Sequence, residues 1–381
     1  MQRLKHVRVA LLALFVPFLL SPGSATIVAG QQRSAAQLSK AGWDALNGGR
    51  IQDASTLFDE ALRSGPQTAT TLLGAGLAAR LQGRNDDVRR LLVDALKIEP
   101  SLIAASLLLG SVLYQTGDID GAIDTYQRAL AFSPDHPQLT KKLEEWRKEA
   151  ELHSGFRQTL GDHFTVMFEG PAETELASRA VSALEADYWR IGTALSIYPS
   201  SVTTVILYTR EQFRDITQSP SWAGGSFDGR IRMPVQGALQ NHTEFERVLA
   251  HEFTHALIQS VAARGVPTWL HEGLADYFDG SLIRQKEQAL QRAASRVPLG
   301  RLEGSFEELT AKEAAQAYAE SAVAVHQLLE QAGAMAIANL LTDIGRGIPF
   351  DQAFERHMLM SYAEFKKRML SLEPSALSPE P

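Results

Sequence analysis

Five positions between residues 37 and 134 recur at a spacing of 34 residues in three copies. Three of them carry mostly small residues, one carries a large apolar or aromatic residue, and one carries proline. The sets are Gly42, Gly76 and Gly110; Ala54, Val88 and Ala122; Phe58, Leu92 and Tyr126; Ala61, Ala95 and Ala129; and Pro66, Pro100 and Pro134. Small residues let two helices cross closely, a large residue fills the gap, and proline ends the second helix. A single helix pair cannot bury its apolar face alone, so the pattern predicts a stacked helical solenoid.

The 34-residue period and the residue types that recur with it resemble the tetratricopeptide repeat. The resemblance implies three repeats that offer a surface to a protein partner. A generic alanine-rich helical bundle is the alternative for this segment. The following stretch "HPQLTKKLEEWRKEAELH", residues 136–153, is amphipathic and highly charged. We interpret it as a polar capping helix and linker, which gives a repeat domain over residues 35–153.

The sequence changes in character near Gly155, where alternating β-branched and aromatic residues begin. We predict strands at 163–169 and 202–208, and a glycine-broken hairpin or edge strand at 222–235 with its turn at Asp228–Gly229. Predicted helices are 172–195, 210–216, 242–263, 268–278, 284–295, 313–331, 334–344 and 350–369. A small sheet followed by a helical half predicts an α+β domain over residues 155–372. Residues 373–381 are expected to form a loose tail.

The motif "HEFTH", residues 251–255, falls inside a predicted helix. Thr243 and Glu246 have the spacing of a capping box, and an apolar stripe at helical spacing runs through the motif. His251 and His255 are one turn apart on one face, so they can bind one metal ion together. Glu252 points about 100° around the helix axis from His251, too far for a third ligand but near enough to contact a metal-bound water.

A catalytic zinc site needs a third protein ligand. The chain has no cysteine, which excludes a Cys-based zinc site, a disulfide framework and a thiol nucleophile. The segment "PTWLHEGLADYF", residues 267–278, offers Glu272, which follows His255 by 17 residues, after a sharp turn at Pro267. Asp276 is one helical turn further along the same face. It is placed to accept the second ring N–H of a metal-bound histidine.

HEFTH followed by "WLHEGLADYF" resembles the gluzincin zinc metallopeptidases, the thermolysin-like clan, and in particular bacterial peptidase MA-like domains that follow tetratricopeptide repeats. This resemblance implies that His251, His255 and Glu272 bind one zinc ion per chain. It also implies that Glu252 is the general base for peptide-bond hydrolysis by a zinc-bound water. "GGSFDGRIRMPV" falls at the place of the strand that holds an extended substrate in that clan.

A donor for the oxyanion is also expected from the helical half of such a domain. The segment "AYAESAVAVHQLL" offers Tyr318 and, two turns on, His326. The resemblance favours Tyr318, with an ordinary packed aromatic as the equal alternative. His271 stands beside Glu272, but adjacent helical residues point in different directions, which argues against ligation by His271. A degenerate site that binds no metal is the alternative for the whole set.

The first thirty residues have the layout of a secretory signal peptide. A basic start at Arg3, Lys5 and Arg8 precedes the apolar run "VALLALFVPFLL", which is followed by small residues. The run is too short to span a bilayer comfortably. We predict cleavage after Gly30, with Ala25 as the other candidate and an uncleaved membrane anchor as the alternative. The expected location is therefore the periplasm or the exterior, with no membrane span after cleavage.

The formal net charge is −7 and no long basic run is present. Nucleic acid is therefore not expected as a partner. The sequence predicts an exported zinc metallopeptidase that acts on proteins or peptides. A non-catalytic zinc-binding and peptide-binding scaffold, which recruits partners through the repeats, is one alternative. Hydrolysis of a non-peptide amide, such as a cell-wall bond, is another.

Overall fold

The computed structural model describes residues 33–170, 173–218, 224–235, 238, 240–293, 296–306 and 309–371. The predicted signal peptide and the predicted tail at 373–381 lie outside these residues. None of the helices in the described part is long and apolar enough to cross a membrane.

Three helix pairs form the N-terminal part. They are α1 (Ala35–Asn47) with α2 (Ile51–Ser64), α3 (Ala69–Leu81) with α4 (Asn85–Ile98), and α5 (Ile103–Gln115) with α6 (Ile119–Leu130). The glycines that recur every 34 residues lie where each pair crosses. A Cβ on Gly42 would stand 2.8 Å from the Phe58 ring, and one on Gly110 would overlap the ring of Tyr126. The spacing of small and large residues thus sets the approach of the paired helices, as the sequence predicted.

Helix α7 (Pro137–His153) follows the third repeat and packs against α6. The sequence predicted an amphipathic, polar capping helix here, and the structure shows what its apolar face contains. Leu139, Leu143 and Trp146 are buried, and so is the carboxylate of Glu149. These residues follow one another at intervals of three or four, which places them on one helix face. One face of α7 is therefore an interior surface, although the helix carries many charged residues.

A five-stranded sheet begins the C-terminal part. Its strands are β1 (Phe156–Leu160), β2 (Phe164–Glu169), β3 (Thr203–Tyr208), β4 (Ser226–Phe227) and β5 (Ile231–Pro234), in the order β1-β2-β3-β5-β4. The inner pairs β2–β3 and β3–β5 are parallel, and the two outer pairs are antiparallel. The sequence predicted the β4–β5 hairpin and its turn but did not predict β1. The short strand β4 stands last in the order, which makes it an edge strand.

Helices make up the rest of the C-terminal part. They are α8 (Thr174–Leu195), α9 (Arg210–Thr217), α10 (His242–Val261), α11 (Thr268–Phe278), α12 (Ile283–Gln291), α13 (Ala311–Gly345), α14 (Phe350–Met358) and α15 (Tyr362–Ser371). Non-helical backbone at Gly333 interrupts α13, between the two helices that the sequence predicted there. The single helix predicted over 350–369 was wrong, because Leu359 adopts a left-handed conformation that ends α14.

The turn inside each of the last two repeats lies against the C-terminal part. Gly83 and Gly117 occupy these turns with φ angles of 73° and 88°, a region that favours glycine. A Cβ on Gly83 would be 3.9 Å from the Ser260 carbonyl oxygen, and one on Gly117 would be 3.7 Å from Thr204 Oγ1. One edge of the repeats therefore contacts the domain that carries the HEFTH motif.

Candidate metal centre

Helix α10 carries HEFTH well inside its length, with both histidine rings on one face. The Asn241 side chain caps the helix by accepting the Glu244 N–H at 3.1 Å. The predicted capping box of Thr243 and Glu246 was therefore wrong. Asn241, which directly precedes the helix, accepts a free backbone N–H of the first turn instead of Thr243. Phe253 within the motif and Leu257 just after it are fully buried in the domain core. Their burial fixes the rotation of α10 about its own axis.

Helix α11 brings the third ligand candidate over these histidines. Oε2 of Glu272 lies 3.5 Å from Nε2 of His251 and 3.6 Å from Nε2 of His255. Helix α11 can pack closely against α13 because residue 273 is glycine. A Cβ there would overlap the Ser321 carbonyl oxygen. The structure thus brings together the three side chains that the sequence proposed as ligands.

The three donor atoms fit a zinc ion. Two atoms held about 2.1 Å from a tetrahedral zinc ion lie about 3.4 Å apart, close to both separations between Glu272 and the histidines. Oε2 of Glu272 is buried and has no hydrogen-bond partner among the described residues. Such an unpaired oxygen is costly unless a ligand satisfies it. Nitrogen and oxygen donors of this kind are ordinary zinc ligands.

The opposite edge of the His251 ring contacts two carboxylates. Its Nδ1 lies 3.3 Å from Asp279 Oδ2 and 3.8 Å from Asp276 Oδ1. Burial alone would lower the pKa of His251, but the hydrogen bond to Asp279 and the nearby carboxylates of Glu272 and Glu252 raise it to about 10. The sequence proposed Asp276 as the acceptor for a ligand histidine, whereas Asp279 is closer and makes the hydrogen bond.

These two carboxylates also have cationic partners. Asp276 accepts a hydrogen bond from Lys286 at 2.7 Å, and Asp279 pairs with Arg247. His251, Asp276 and Asp279 have ligand atoms as close together as the first group. Because both acids are already neutralised, we interpret this group as support for His251. Asp279 follows Glu272 by seven residues, about two helical turns, which places it on the same side as Glu272, but this spacing does not favour it over Asp276.

His271 has a contact that the sequence did not predict. Its Nδ1 lies 2.7 Å from Nδ1 of His255, so one ring donates and the other accepts. Burial and repulsion from His255 lower the pKa of His271 to about 3, which keeps this ring neutral. His271 does not join the group of converging ligand atoms. It contacts instead the side of the His255 ring that faces away from Glu272.

Glu252 lies in the same cavity and is 6% exposed. Burial raises the pKa of its carboxyl group, although His255 and His251 oppose the rise. Backbone from the strand region closes over it, since a Cβ on Gly225 would be 2.6 Å from Glu252 Oε1. The carboxylate is therefore held between the histidines of the HEFTH motif and the segment that leads into β4.

Tyr318 on α13 also lines this cavity, which has a volume of about 630 Å³. Its ring packs edge-to-face on Phe306, with the centroids 5.6 Å apart. Burial, reinforced by the carboxylates of Glu272 and Glu252, raises the pKa of the Tyr318 phenol above its usual range. The hydroxyl therefore stays protonated as a hydrogen-bond donor. His326 is not among the lining residues and pairs with Glu330 at 3.7 Å.

Comparisons with known proteins agree with this architecture. The model of the Peptidase MA superfamily matches residues 191–367, and two tetratricopeptide repeat models match residues 39–101 and 79–144. The chain therefore carries tetratricopeptide repeats followed by a Peptidase MA superfamily domain, which confirms the arrangement predicted from the sequence. A superfamily of peptidases indicates a protease-like domain. The match begins inside α8, yet β2 pairs with β3, so β1 and β2 belong to the same sheet.

Curated proteins and solved structures give no further indication of function. No curated protein matches the chain. Among solved structures, "First TPR of Spaghetti (RPAP3) bound to HSP90 peptide SRMEEVD" is similar at 15% identity, covering 31% of this chain and 94% of that chain, with a TM-score of 0.30.

Proposed function

We propose that the chain is a zinc-dependent metallopeptidase that hydrolyses peptide bonds. The observation that carries the proposal is the convergence of two histidine nitrogens on the unpaired Glu272 oxygen, beside Glu252 in an open cavity. His251, His255 and Glu272 would hold the metal. Bound zinc supplies Lewis acidity, which lowers the pKa of a water and polarises a carbonyl group. The superfamily match supports a peptide as the substrate.

Glu252 and Tyr318 would move and donate protons. The Glu252 carboxylate takes a proton from the attacking water and passes it to the leaving amine. Burial raises the pKa of this carboxyl group above its ordinary value, which makes the carboxylate a stronger proton acceptor. The protonated Tyr318 hydroxyl donates to the oxygen on which negative charge develops.

The edge strand β4 would hold the substrate. It borders the cavity through Ser226 and Phe227 and stands last in the sheet order. An extended peptide adds to such an edge through backbone hydrogen bonds. The peptide bond to be cut would then pass in front of Glu252.

The substitution Glu252→Gln tests the assigned base. We expect hydrolysis of a peptide library to fall by a factor of roughly 100 to 10,000, because general-base catalysis contributes that much, while zinc content stays unchanged. Glu246→Gln is the matched control on the same helix. Glu246 faces outward and pairs with Arg179 at 2.9 Å. An unchanged rate in Glu252→Gln would rule out Glu252 as the base.

The same assay separates the main alternative. Stoichiometric zinc in the wild-type chain with no turnover of any protein or peptide would favour a zinc-binding and peptide-binding scaffold. Turnover of a cell-wall amide, without turnover of peptides, would favour a non-peptide amidase.

We also propose that the repeats bind a protein or peptide partner, in keeping with the tetratricopeptide match. A cavity of about 650 Å³ lies between α4, α5 and α6, and half-exposed Phe132 is one of its lining residues. A peptide selected on the Glu252→Gln chain should bind more weakly to a chain that also carries Phe132→Lys. Equal binding would exclude this cavity.

Export is proposed from the first thirty residues alone. The mature chain isolated from the source cell should begin at Gln31, or at Thr26 if the other junction is used. Mass spectrometry of the intact protein distinguishes these from a chain that keeps its first residues.

A further inference from the structure

The β4–β5 hairpin contacts the repeats on the side that faces away from the cavity. Its inner strand β5 and the preceding turn carry Arg230 and Arg232, which are 3% and 1% exposed. Some of their hydrogen-bond and ion-pair partners lie outside the sheet. They include Tyr114 at the end of α5 and Glu149 on α7, which are more than 80 residues away in sequence.

Arg232 makes the most contacts. Its Nη1 donates to Glu149 Oε1 at 2.8 Å and to the Tyr208 hydroxyl at 2.7 Å. Its Nη2 donates to the Tyr114 hydroxyl at 2.9 Å, and that hydroxyl donates to Glu149 Oε2 at 2.5 Å. One guanidinium thus joins a residue of β3 to two residues of the repeat part.

Arg230 adds a second cation against the same residues. Its guanidinium stands 4.2 Å above the Tyr114 ring, and its Nη1 lies 3.2 Å from Glu149 Oε1. The turn itself also contacts the repeats, since a Cβ on Gly229 would be 2.8 Å from the Gln115 carbonyl oxygen. The hairpin therefore meets the repeats at its turn and along its inner strand.

The same hairpin shapes the cavity on its other side. Ser226 pairs with Arg232 and Phe227 with Ile231, so the position of β4 follows that of β5. The residue before β4, Gly225, packs on the Glu252 carboxylate. Because of these two cross-strand pairs, a displacement of Arg232 would also displace β4 and Gly225, which line the candidate metal centre.

We propose that the tetratricopeptide repeats position the β4–β5 hairpin for substrate binding, with Tyr114 and Glu149 as positioning residues that act through Arg230 and Arg232. Stability alone does not account for such a cluster. Buried ion pairs are often no more stable than packed apolar residues, whereas their directional hydrogen bonds can specify one geometry. Where it concerns catalytic rate, this proposal rests on the proposed peptidase function.

The substitution Tyr114→Phe in the full-length chain tests the proposal. It removes the hydroxyl between Arg232 and Glu149 and keeps the ring beneath Arg230. Tyr126→Phe is the matched control, because the Tyr126 hydroxyl donates to the Leu107 carbonyl within the repeats, at 3.2 Å. The readouts are amide hydrogen exchange of residues 224–235, zinc content, and kcat and KM on a peptide substrate. Glu149→Gln serves as a second, stronger variant.

In Tyr114→Phe we expect exchange of residues 224–235 to be about tenfold faster, the effect of losing one hydrogen bond to a charged group. Exchange of α10 and zinc content should not change. The KM should rise several-fold with a smaller change in kcat, and Tyr126→Phe should stay within about twofold of wild type in every readout.

The proposal is overturned if hairpin exchange in Tyr114→Phe and Glu149→Gln matches that of wild type. It is also overturned if Tyr126→Phe alters KM as much as Tyr114→Phe does. Should the wild-type chain bind zinc but cut no peptide, the proposed function fails, and the exchange of the hairpin still decides whether the repeats position it.

Discussion

Two buried clusters of charged side chains lie on either side of the β4–β5 hairpin, and they differ in how the oxygens of their central carboxylates, Glu272 and Glu149, are satisfied. At the metal centre, two histidines and Glu272 turn their donor atoms toward one point, and the Glu272 oxygen there has no hydrogen-bond partner among the described residues. At the repeat contact, both carboxylate oxygens of Glu149 are occupied by donors.

The contrast separates a site prepared for a ligand from one that joins two parts of a chain. A buried carboxylate oxygen without a hydrogen-bond partner costs stability unless something else binds it. At the repeat contact, the buried atoms without a hydrogen-bond partner among the described residues are Nε and Nη2 of Arg230, whose guanidinium lies over the Tyr114 ring. An unpaired acceptor beside two histidine nitrogens can bind a cation, whereas an unpaired guanidinium N–H cannot, and this difference distinguishes the candidate metal centre. Variants in the two clusters should therefore fail in different ways.

The largest effect is expected from Glu149→Ala, and it should be on stability. Removing this carboxylate leaves Arg230 buried without its anion and leaves Arg232 with Asp228 alone, and breaking a buried ion pair in this way costs about 3–5 kcal/mol. Chemical denaturation measures the free energy of unfolding. Glu145→Ala, at an exposed position on the same helix, is the control and should change stability by no more than about 0.5 kcal/mol. A small loss in Glu149→Ala would mean that the contact with the repeats is weak.

Tyr318→Phe is expected to act on rate instead. Loss of one oxyanion donor lowers kcat by a factor of roughly 100 to 1,000, while stability and zinc content remain near those of wild type. Tyr277→Phe is the control, since this tyrosine is on α11 with its side chain 45% exposed. If Tyr318→Phe keeps full activity, Tyr318 is an ordinary packed aromatic, the alternative that the sequence left open.

The smallest effect of the three is expected from Asp279→Asn. Replacing a carboxylate that orients a metal ligand weakens metal binding by about 10- to 100-fold. Asp276→Asn should have a smaller effect, because Asp276 is 3.8 Å from His251 and bonds to Lys286. Competition with a zinc chelator measures both affinities. A larger loss in Asp276→Asn would restore the assignment made from the sequence.

Local periodicity was sufficient to predict much of the fold and the candidate ligands. The 34-residue spacing of Gly42, Gly76 and Gly110 is a property of one helix pair repeated, so it is visible without any tertiary information. The positions of His251, His255 and Glu272 follow from one helix, one turn and the next helix. Such short-range geometry is fixed by the helical period.

The remaining features depend on how distant segments pack. Arg232 and Glu149 are separated by 83 residues, and no local pattern indicates that they meet. The amphipathic pattern of α7 indicated one apolar face, but for the same reason it did not indicate that the carboxylate of Glu149 is buried there. At the metal centre, Asp279 lies one residue beyond α11, where the chain direction depends on the turn that follows. Its choice over Asp276 could not be made from helical spacing alone.

Anomalous diffraction at the zinc edge from crystals of the full chain would test the central claim most directly. The account predicts one zinc ion per chain, about 2.0–2.2 Å from Nε2 of His251, Nε2 of His255 and Oε2 of Glu272. It also predicts that Glu252→Gln crystals retain the same peak. A zinc-loaded crystal without a peak at these three atoms, or with the metal bound elsewhere, would contradict the account.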